Sequence, residues 1–286
     1  MATSDYRMSD ADVLLRRALE GRGDERILTL DPAFSGLPDT AHGGSVLAVF
    51  DALAARVGGR EVRGVYRRRV PLGVPLRLTV VGDGDALECR LAETSETVLV
   101  EGRIAPVAAP VGTGRPPAAL PADPLPVSTT CFACGVDNPI GLRLRLSFDD
   151  RAVAGRWQPG PAFRAANGAL APVALTTMLD EAAFWLGALA SGESGMTTDL
   201  SVTLHDPVPF GDVVTVGGCR DAVRPLADDP RYWATEVTAW DAAGRLVADA
   251  RITFVAVRGA ARRLAGWLSR VNPPDVVRRV FPAYAR

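Results

Sequence analysis

The chain contains 286 residues, 48% of them hydrophobic, with a formal net charge of -1 and a pI near 6.2. This length predicts two domains with sizeable cores, and the near-neutral charge excludes a strongly basic, nucleic-acid-binding class of protein. Four cysteines are too few for a disulfide framework, and residues 1–13 are polar without an apolar run. We therefore expect a cytoplasmic protein with no secretory signal and no membrane span.

The first part of the chain predicts a short helix, a strand and a longer central helix. The short helix is expected to end at Gly21, and residues 26–30 have the composition of a strand. The central helix is predicted to begin at Gly43 or Gly44 and to end near Val57. Its core-facing side chains recur at helical spacing and are Val46, Val49, Phe50, Leu53 and Val57.

Strand-like runs follow this helix. They cover residues 64–70, 75–81, 87–91 and 97–104, with a Gly-Asp-Gly-Asp turn between the second and the third. A helix followed by consecutive antiparallel strands describes one compact unit, which we assign to residues 1–104. Residues 105–127 are rich in proline and alanine, so they predict a semi-rigid linker to a second unit.

The second unit is assigned to residues 128–258. Its predicted strands cover residues 142–148, 152–157, 198–206, 213–219, 232–240 and 245–257. Its central helix begins at Pro172, a residue type favoured at the first helical position. The side chains expected to point inward are Leu175, Met178, Leu179, Ala182 and Leu186.

Residues 259–286 form a separate tail. It predicts an amphipathic helix with Leu264, Trp267, Leu268 and Val271 on one face. We expect this face to pack on the rest of the chain as a C-terminal cap. A membrane-binding or partner-binding surface is the alternative interpretation.

An internal repeat relates the two units. Pro32-Ala33-Phe34 recurs as Pro161-Ala162-Phe163, an offset of 163 minus 34, or 129. The same offset takes Asp51 to Asp180, so each central helix carries an acid at the same place. Two copies of one supersecondary unit in a chain predict a pseudo-symmetric pair.

The repeat continues with a larger offset. Val70-Pro71-Leu72-Gly73 recurs as Val208-Pro209-Phe210-Gly211, an offset of 208 minus 70, or 138. The second copy therefore has nine additional residues between its helix and this turn. We predict that they lie in a loop over residues 188–198.

These motifs resemble the hotdog fold of the acyl-CoA thioesterase superfamily, in its PaaI-like branch, over residues 27–257. The similar features are a Gly-Gly helix start, an acid on the third helical turn and a strand ending in Pro-x-Gly. The segment from Cys131 to Gly135, followed by Asp137-Asn138-Pro139, is similar to the opening of the second unit in such proteins. The resemblance implies an α+β double hotdog, in which the two units form a pseudo-dimer, and further association into homo-oligomers.

The resemblance also implies a catalytic site between the units. In the family, the amide after a histidine, here Gly43 after His42, polarises the thioester carbonyl, and an acid from the other unit, here Asp180, is general base or nucleophile. A helix N-terminus stabilises an oxyanion, and glycine permits its close approach. Gly44 is a candidate substrate-binding residue and Glu181 is the second candidate acid. His42 is expected to orient the loop, and a dehydratase-like role is its alternative.

The reciprocal site departs from the family pattern. Ala171-Pro172-Val173 replaces the His-Gly-Gly sequence, and proline has no N–H to donate. Loss of one such donor costs roughly 2.7 to 4 kcal/mol of transition-state stabilisation. Asp51, which lies off the apolar stripe of its helix, would serve this site as a substrate-contacting acid. We therefore predict one active site, and it pairs Gly43 with Asp180.

Two further sets of residues are candidates for a function. Thr197 and Thr198 open a strand near the second central helix and are candidate substrate-binding residues, with ordinary strand composition as the alternative. Cys131 and Cys134 have the Cys-x-x-Cys spacing of zinc sites and redox pairs. Structural zinc needs four close ligands, and the sequence offers no obvious partners for the pair, so we expect a packing motif and no metal.

The predicted activity is hydrolysis of an acyl-CoA or acyl-carrier thioester at the interface of the two units. The thioester is the substrate, and no separate cofactor is expected. Two alternatives remain open from the sequence. The first is a non-catalytic hotdog protein that binds an acyl group, and the second is a dehydratase, lyase or cyclase that uses the same pocket.

Overall fold

The computed structural model describes residues 11–54, 58–107, 115–226 and 228–284. The helices in these residues are α1 (Ala11–Arg17), α2 (Gly43–Ala54), α3 (Pro172–Ser191), α4 (Ala260–Leu268) and α5 (Pro274–Val280). The strands of the first half are β1 (Leu19–Glu20), β2 (Glu25–Leu28), β3 (Arg60–Tyr66), β4 (Leu76–Asp83), β5 (Ala86–Ala92) and β6 (Val98–Pro106). Those of the second half are β7 (Asp123–Pro124), β8 (Ser147–Phe148), β9 (Ala152–Trp157), β10 (Gly195–Leu204), β11 (Val214–Cys219), β12 (Arg224–Pro225), β13 (Tyr232–Trp240) and β14 (Leu246–Ala256).

All of these strands belong to one 14-stranded sheet with antiparallel pairing. The order is β1-β2-β4-β5-β6-β3-β10-β14-β13-β11-β9-β8-β7, and β12 pairs with β13. The strands of the first half are therefore contiguous in the sheet, and so are those of the second. The two halves meet where β3 pairs with β10.

The register of the β3–β10 pair confirms the predicted pseudo-symmetry. Arg63 pairs with Ser201, and 63 plus 138 is 201, the offset that relates the two Val-Pro-x-Gly motifs. The flanking pairs, Val62 with Val202 and Gly64 with Leu200, are exchanged by the same offset. A pseudo-two-fold axis therefore passes through the Arg63–Ser201 pair, as a double hotdog requires.

The helix starts repeat as closely as the strands. The N–H of His42 donates to Phe34 O at 2.8 Å, and the N–H of Ala171 donates to Phe163 O at 2.8 Å. Each helix is preceded by a 3-10 turn formed by the Pro-Ala-Phe sequence. The repeated motif therefore aims the chain into α2 and α3 in the same way.

Helices α2 and α3 pack closely against each other. A Cβ added to Gly44 would lie 2.4 Å from the backbone oxygen of Thr176, and the Thr176 hydroxyl donates to Gly44 O at 2.8 Å. Only glycine allows this approach, because any side chain would clash with the backbone of α3. Helix α3 has the length and hydropathy of a membrane span, but 83% of that window is buried, as in the core helix of a globular domain.

Burial agrees with the predicted stripes of both helices. The five inward residues of α3 are buried, and so are Val46, Val49 and Phe50 of α2. Leu53 is partly buried against the core, and Val57 lies outside the described residues. The other residues from Gly44 to Asp51, and all residues from Val173 to Ala188 except Phe184, are buried as well, so both helices are enclosed on all sides at these positions.

The predicted loop over residues 188–198 was wrong. Helix α3 continues to Ser191, where Gly192 adopts a left-handed conformation, and β10 begins at Gly195. Ala188 is fully buried, so packing extends the helix beyond the point suggested by the repeat. Most of the additional length of the second unit is therefore helical.

Some other boundaries also differ from the prediction. The short first helix ends at Arg17, because the next residues pair with β2 as β1. Strand β3 occupies Arg60–Tyr66 instead of residues 64–70. Of the strand predicted over residues 142–148, only Ser147–Phe148 pairs with a neighbour. The preceding part is not a strand: Arg143 has a positive φ of 53°, and the segment bonds to the loop before it, for example from Leu142 N to Phe132 O at 2.8 Å.

The C-terminal tail forms two helices, α4 and α5, instead of one. Leu264 and Leu268 are buried and Trp267 is partly buried, so the apolar face of α4 packs on the rest of the chain. Val271 lies beyond the end of α4. Glu193, just after α3, accepts hydrogen bonds from the backbone N–H groups of Gly259 (3.1 Å) and Ala261 (3.2 Å) and thereby fixes the start of α4.

Candidate functional site

A cluster of buried ionisable side chains lies where the start of α2 meets the third turn of α3. His42 precedes α2, and Asp180 and Glu181 belong to α3. Their exposed fractions are 6%, 5% and 7%. The close contact of the two helices at Gly44 brings them together, although 138 residues separate His42 from Asp180 in the chain (180 minus 42).

The imidazole of His42 lies between the two carboxylates. Its Nδ1 is 3.1 Å from Asp180 Oδ2, and its Nε2 is 3.4 Å from Glu181 Oε2. The other oxygen of Glu181 accepts a hydrogen bond from Trp185 Nε1 at 3.0 Å. Both acids therefore contact the histidine, even though their side chains leave the helix about 100° apart.

Asp180 is held by donors from three parts of the chain. Its Oδ2 accepts the N–H of Gly44 at 2.9 Å and faces His42, and its Oδ1 accepts the hydroxyl of Thr197 at 2.8 Å. An ionised carboxylate offers about four acceptor positions. These contacts use three of them, so the carboxylate can accept one further hydrogen bond, for example from a ligand.

The two acids determine the charge of the cluster. Burial has the largest single effect on His42 and lowers its pKa, but hydrogen bonds and charge from Asp180 and Glu181 outweigh it and raise the pKa of His42 to about 10. For Asp180, burial again has the largest single effect and raises the pKa. Its bonds to His42, Thr197 and the Gly44 amide outweigh burial, so the pKa of Asp180 lies below its usual value. At neutral pH the pair is an imidazolium and a carboxylate.

This charge state decides which hydrogen bond Gly44 makes. The Gly44 N–H lies 2.9 Å from Asp180 Oδ2 and 3.3 Å from His42 Nδ1. A protonated Nδ1 has no lone pair to accept a hydrogen bond. The Gly44 amide is therefore bonded to Asp180, and Asp180 is anchored directly to the first turn of α2.

Gly43 presents the open donor of the site. Within the described parts of the chain its N–H has no acceptor, whereas its carbonyl accepts the hydroxyl of Tyr66 at 2.7 Å. A Cβ at this position would lie 2.7 Å from Asp180 Oδ2. Tyr66 was missed by the sequence reasoning, because its contact with Gly43 depends on where β3 ends. Burial, followed by the charge of Asp180, raises the pKa of Tyr66 well above its usual value.

A cavity of about 120 Å³ adjoins these groups. His42, Gly43, Asp180 and Glu181 border it on the polar side. The remaining wall is mostly apolar and includes Leu37, Tyr66, Val70, Phe184 and Met196. Such a combination of a few convergent polar groups and an apolar lining is typical of small-molecule sites.

Of the two candidate threonines, the structure brings only Thr197 to the site. The hydroxyl of Thr198 donates to the backbone oxygen of Thr253 at 3.1 Å. The register of β10 against β14 shifts between Thr197 and Asp199, which is an irregularity of the bulge type. This irregularity turns Thr197 towards α3, and no pattern in the sequence predicted it.

Asp51 lies in a different cavity, at the pseudo-equivalent end of the helix pair. This cavity measures about 370 Å³, and Pro172 borders it as well. Arg60 binds both oxygens of Asp51, with Nη2 2.8 Å from Oδ2. Since 60 plus 138 is 198, Arg60 stands where the second unit has Thr198. The acid of this second site is thus neutralised by an arginine.

The cysteine motif lies close to the acidic cluster. Cys131 and Cys134 are buried, and the interaction with Cys131 followed by burial raises the pKa of the Cys134 thiol well above its usual value. Possible ligand atoms of His42, Cys131 and Glu181 lie within 4.8 Å of one another. A metal bound by His42 would have to displace a ring proton, and each of the two ring nitrogens already faces a carboxylate, Nδ1 that of Asp180 and Nε2 that of Glu181.

Comparison with known proteins identifies the fold. No family model matches the chain, and no curated protein matches its sequence. Among solved structures, a candidate thioesterase II from Thermobifida fusca YX is similar with a TM-score of 0.62 at 17% identity, covering 85% of this chain and 98% of that one. The tesB protein of Mycobacterium avium subs. paratuberculosis is similar with a TM-score of 0.61 at 16% identity, covering 87% and 99%. The chain has the hotdog fold.

Other hotdog structures that match are dehydratases. The GphF dehydratase is similar with a TM-score of 0.53 at 17% identity, covering 84% of this chain and 96% of that one. At such identities the similarity shows the fold alone. The comparisons therefore support a double hotdog like that of thioesterases and dehydratases, and they do not separate these activities or distinguish the PaaI-like branch.

Proposed function

We propose that this hotdog protein is a thioesterase-like hydrolase, related to the PaaI-like branch, that cleaves an acyl-CoA or acyl-carrier thioester in the cavity beside Asp180. The observation that carries the proposal is the position of Asp180, an ionised carboxylate from α3 bonded to the first turn of α2. The open N–H of Gly43 lies beside it. A base and an oxyanion donor are thus held together by the backbone.

In the proposed reaction, the thioester carbonyl oxygen accepts the N–H of Gly43. Asp180 removes a proton from a water molecule as the water oxygen forms a bond to the carbonyl carbon, and negative charge develops on the carbonyl oxygen. The N-terminal end of α2 stabilises this charge. Collapse of the intermediate breaks the C–S bond, and Asp180 returns the proton to the thiolate, so a carboxylic acid and a thiol leave.

His42 acts as a positioning residue in this scheme. As an imidazolium it cannot act as the base, but it lowers the pKa of Asp180 and keeps the carboxylate ionised. Glu181 and Trp185 fix the opposite side of the ring. A cytoplasmic setting is part of the proposal, because all four cysteines are free thiols.

The test is thiol release from a panel of acyl thioesters of different chain length, followed with a colorimetric thiol reagent. We expect turnover of at least one thioester by the native chain and loss of it in Asp180→Asn. Equal turnover by both proteins would show that the cavity beside Asp180 is not the site of hydrolysis.

A second candidate is dehydration of a β-hydroxyacyl thioester, because His42 and Asp180 reach one cavity from opposite helices. This reaction needs one group to remove a proton from the α-carbon and another to protonate the departing hydroxyl. Asp180 has the charge of a base and His42 that of an acid. Appearance of enoyl-thioester absorbance without thiol release would favour dehydration over hydrolysis.

A further inference from the structure

Tyr66, at the end of β3, has a hydroxyl that the proposed reaction does not use. Its ring is partly buried against the core and borders the cavity beside Asp180. The hydroxyl donates to Gly43 O at 2.7 Å. Tyr66 therefore contacts the backbone of the residue that carries the open N–H.

One peptide unit joins this hydroxyl to the catalytic acid. The carbonyl of Gly43 and the N–H of Gly44 belong to the same planar amide. The carbonyl oxygen accepts the hydroxyl of Tyr66, and the N–H donates to Asp180 Oδ2 at 2.9 Å. Hydrogen bonds in such a chain polarise one another and strengthen each other by about 10–30% per bond. A hydrogen-bond chain therefore runs from Tyr66 through the backbone to Asp180.

The two glycines at the start of α2 are held by two hydroxyls. Consecutive glycines give a backbone more conformational freedom than other residues do. Tyr66 from β3 binds the carbonyl oxygen of Gly43, and Thr176 from α3 binds that of Gly44 at 2.8 Å. A backbone donor stabilises an oxyanion only if its position is fixed before the reaction. Two different elements therefore fix the turn that carries the open N–H.

The pseudo-equivalent place in the second unit lacks this hydroxyl. The offset of 138 takes Tyr66 to Leu204, which borders the cavity that contains Asp51. The same offset takes Gly64, two residues before Tyr66 on β3, to Val202. A Cβ added to Gly64 would lie 3.2 Å from Tyr66 Cε2, so the glycine leaves room for the aromatic ring. The tyrosine and the glycine that accommodates it thus occur only in the unit whose helix starts with two glycines.

We propose that Tyr66 is a positioning residue, whose hydroxyl fixes and polarises the Gly43–Gly44 peptide unit. The N–H of Gly44 then holds Asp180, and the N–H of Gly43 stays open for the substrate carbonyl. Burial, followed by the charge of Asp180, raises the pKa of Tyr66 well above its usual value, so the hydroxyl keeps its proton and remains a donor. This inference rests on the proposed function, since it takes Asp180 and Gly43 in the roles given there.

The first test is kinetic and uses Tyr66→Phe, which removes the hydroxyl and keeps the ring. We expect kcat on the best thioester to fall about tenfold, less than the loss of about a hundredfold to a thousandfold that follows removal of an oxyanion donor itself. KM should stay within about twofold of the native value, because the ring still borders the cavity. The matched control is Tyr284→Phe, which removes a hydroxyl bonded to Glu193 in the C-terminal tail and should keep the native kcat.

The second test needs no turnover. Solvent hydrogen exchange of the Gly44 amide is followed by NMR in the native chain and in both variants, at neutral pH. Loss of the Tyr66 hydroxyl weakens the bond from Gly44 to Asp180, so we expect exchange at Gly44 to be about tenfold faster in Tyr66→Phe. The amide proton resonance of Gly44 should also move upfield in that variant. Tyr284→Phe should leave the exchange and the resonance unchanged.

The two tests separate this inference from the proposed activity. Faster exchange at Gly44 in Tyr66→Phe, without hydrolysis of any thioester by the native chain, supports the hydrogen-bond chain and contradicts hydrolysis. Native kcat and native exchange in Tyr66→Phe overturn the positioning role while hydrolysis stands. A lower kcat with unchanged exchange, or a higher KM alone, also overturns it, because Tyr66 would then act on the substrate directly. If thermal melting shows that Tyr66→Phe is unfolded, Tyr66→Leu, with the residue type of the equivalent position, replaces it, and the same changes in kcat and exchange are expected.

Discussion

At the start of α2, Asp180 contacts a histidine, two glycine residues and a threonine, whereas at the start of α3 Asp51 is bound by Arg60 in a cavity that Pro172 borders. The two places are related by the pseudo-two-fold axis, so the chain follows the same path at both, although Pro172 lacks the N–H that Gly43 has. The difference lies in a few side chains at equivalent positions. A duplicated unit can thus retain one fold twice while only one copy retains the arrangement that we propose for hydrolysis.

The difference between the two sites is tested most directly by replacing each acid with its amide. We expect Asp180→Asn to lower kcat about a thousandfold, within the range that a general base contributes. Asp51→Asn should leave kcat near that of the native chain, because Arg60 already neutralises this acid. Initial rates on the best thioester, with thermal melting as the control for folding, decide the matter. A large loss in Asp51→Asn with activity retained in Asp180→Asn would assign catalysis to the other cavity.

The glycine at the start of α2 is the second point of contrast. Gly43→Ala would place a Cβ 2.7 Å from Asp180 Oδ2, so it displaces the acid and obstructs the open N–H. We expect a loss of about a hundredfold in kcat, comparable to removal of an oxyanion donor. The matched change Pro172→Ala, at the equivalent position of α3, should leave kcat within about twofold. Equal effects of the two substitutions would contradict the assignment of the donor to Gly43.

The neighbouring residues Thr197 and Thr198 allow a third test, in which the expected loss of kcat is smaller. Thr197→Val removes the hydroxyl that donates to Asp180 and keeps the shape of the side chain. A hydrogen bond to a charged group is worth about 1.5 to 3 kcal/mol, so we expect kcat to fall by at least about tenfold. Thr198→Val loses only a bond to the backbone of Thr253 and should retain the native rate. The reverse order of effects would place Thr198 at the substrate instead.

The pH dependence follows from the two opposed pKa shifts. The pKa of His42 is raised, so its contribution to stability is complete below 6.5 and is lost as the pH rises through about 10. The pKa of Asp180 is lowered, so its contribution is present above 3.8 and is lost as the pH falls through the lower folded value. For these two groups we expect the melting temperature to be level between pH 3.8 and 6.5 and to fall as the pH rises from 6.5 to about 10, whereas kcat, which depends on the folded state, stays level up to about 10. A decline of kcat centred near 6.5 as the pH rises would show that His42 loses its proton at its ordinary pKa, so that its contacts with Asp180 and Glu181 do not raise that pKa.

The last contrast concerns stability alone. Asp51→Asn leaves the guanidinium of Arg60, whose side chain is only 12% exposed, without its carboxylate. We expect this variant to lose about 3 kcal/mol of unfolding free energy, as for other broken buried pairs. Denaturant titration should show that adding Arg60→Gln recovers part of the loss. An unchanged unfolding midpoint in Asp51→Asn would mean that the pair contributes little.

Much of the fold could be predicted because the sequence motifs of one unit recur in the other. The repeated Pro-Ala-Phe and Val-Pro-x-Gly motifs located both helix starts, and the offset of 138 reappears in the register of β3 against β10. The boundaries were less predictable. The end of α3 depends on packing of Ala188, and the strand expected over residues 142–148 was lost to bonds with a preceding loop, which local composition does not reveal.

By itself the sequence determined that two hotdog units share this chain and that the position of α3 equivalent to Gly43 has no backbone N–H, because it is Pro172. Only the tertiary structure decided that His42 is held between Asp180 and Glu181, that Thr197 and not Thr198 reaches the acid, and that Arg60 neutralises Asp51. The physical reason is distance along the chain. The contacts of His42 join residues 138 and 139 positions apart, and they exist because Gly44 lets α2 approach α3 closely enough for an imidazole to bridge the two helices.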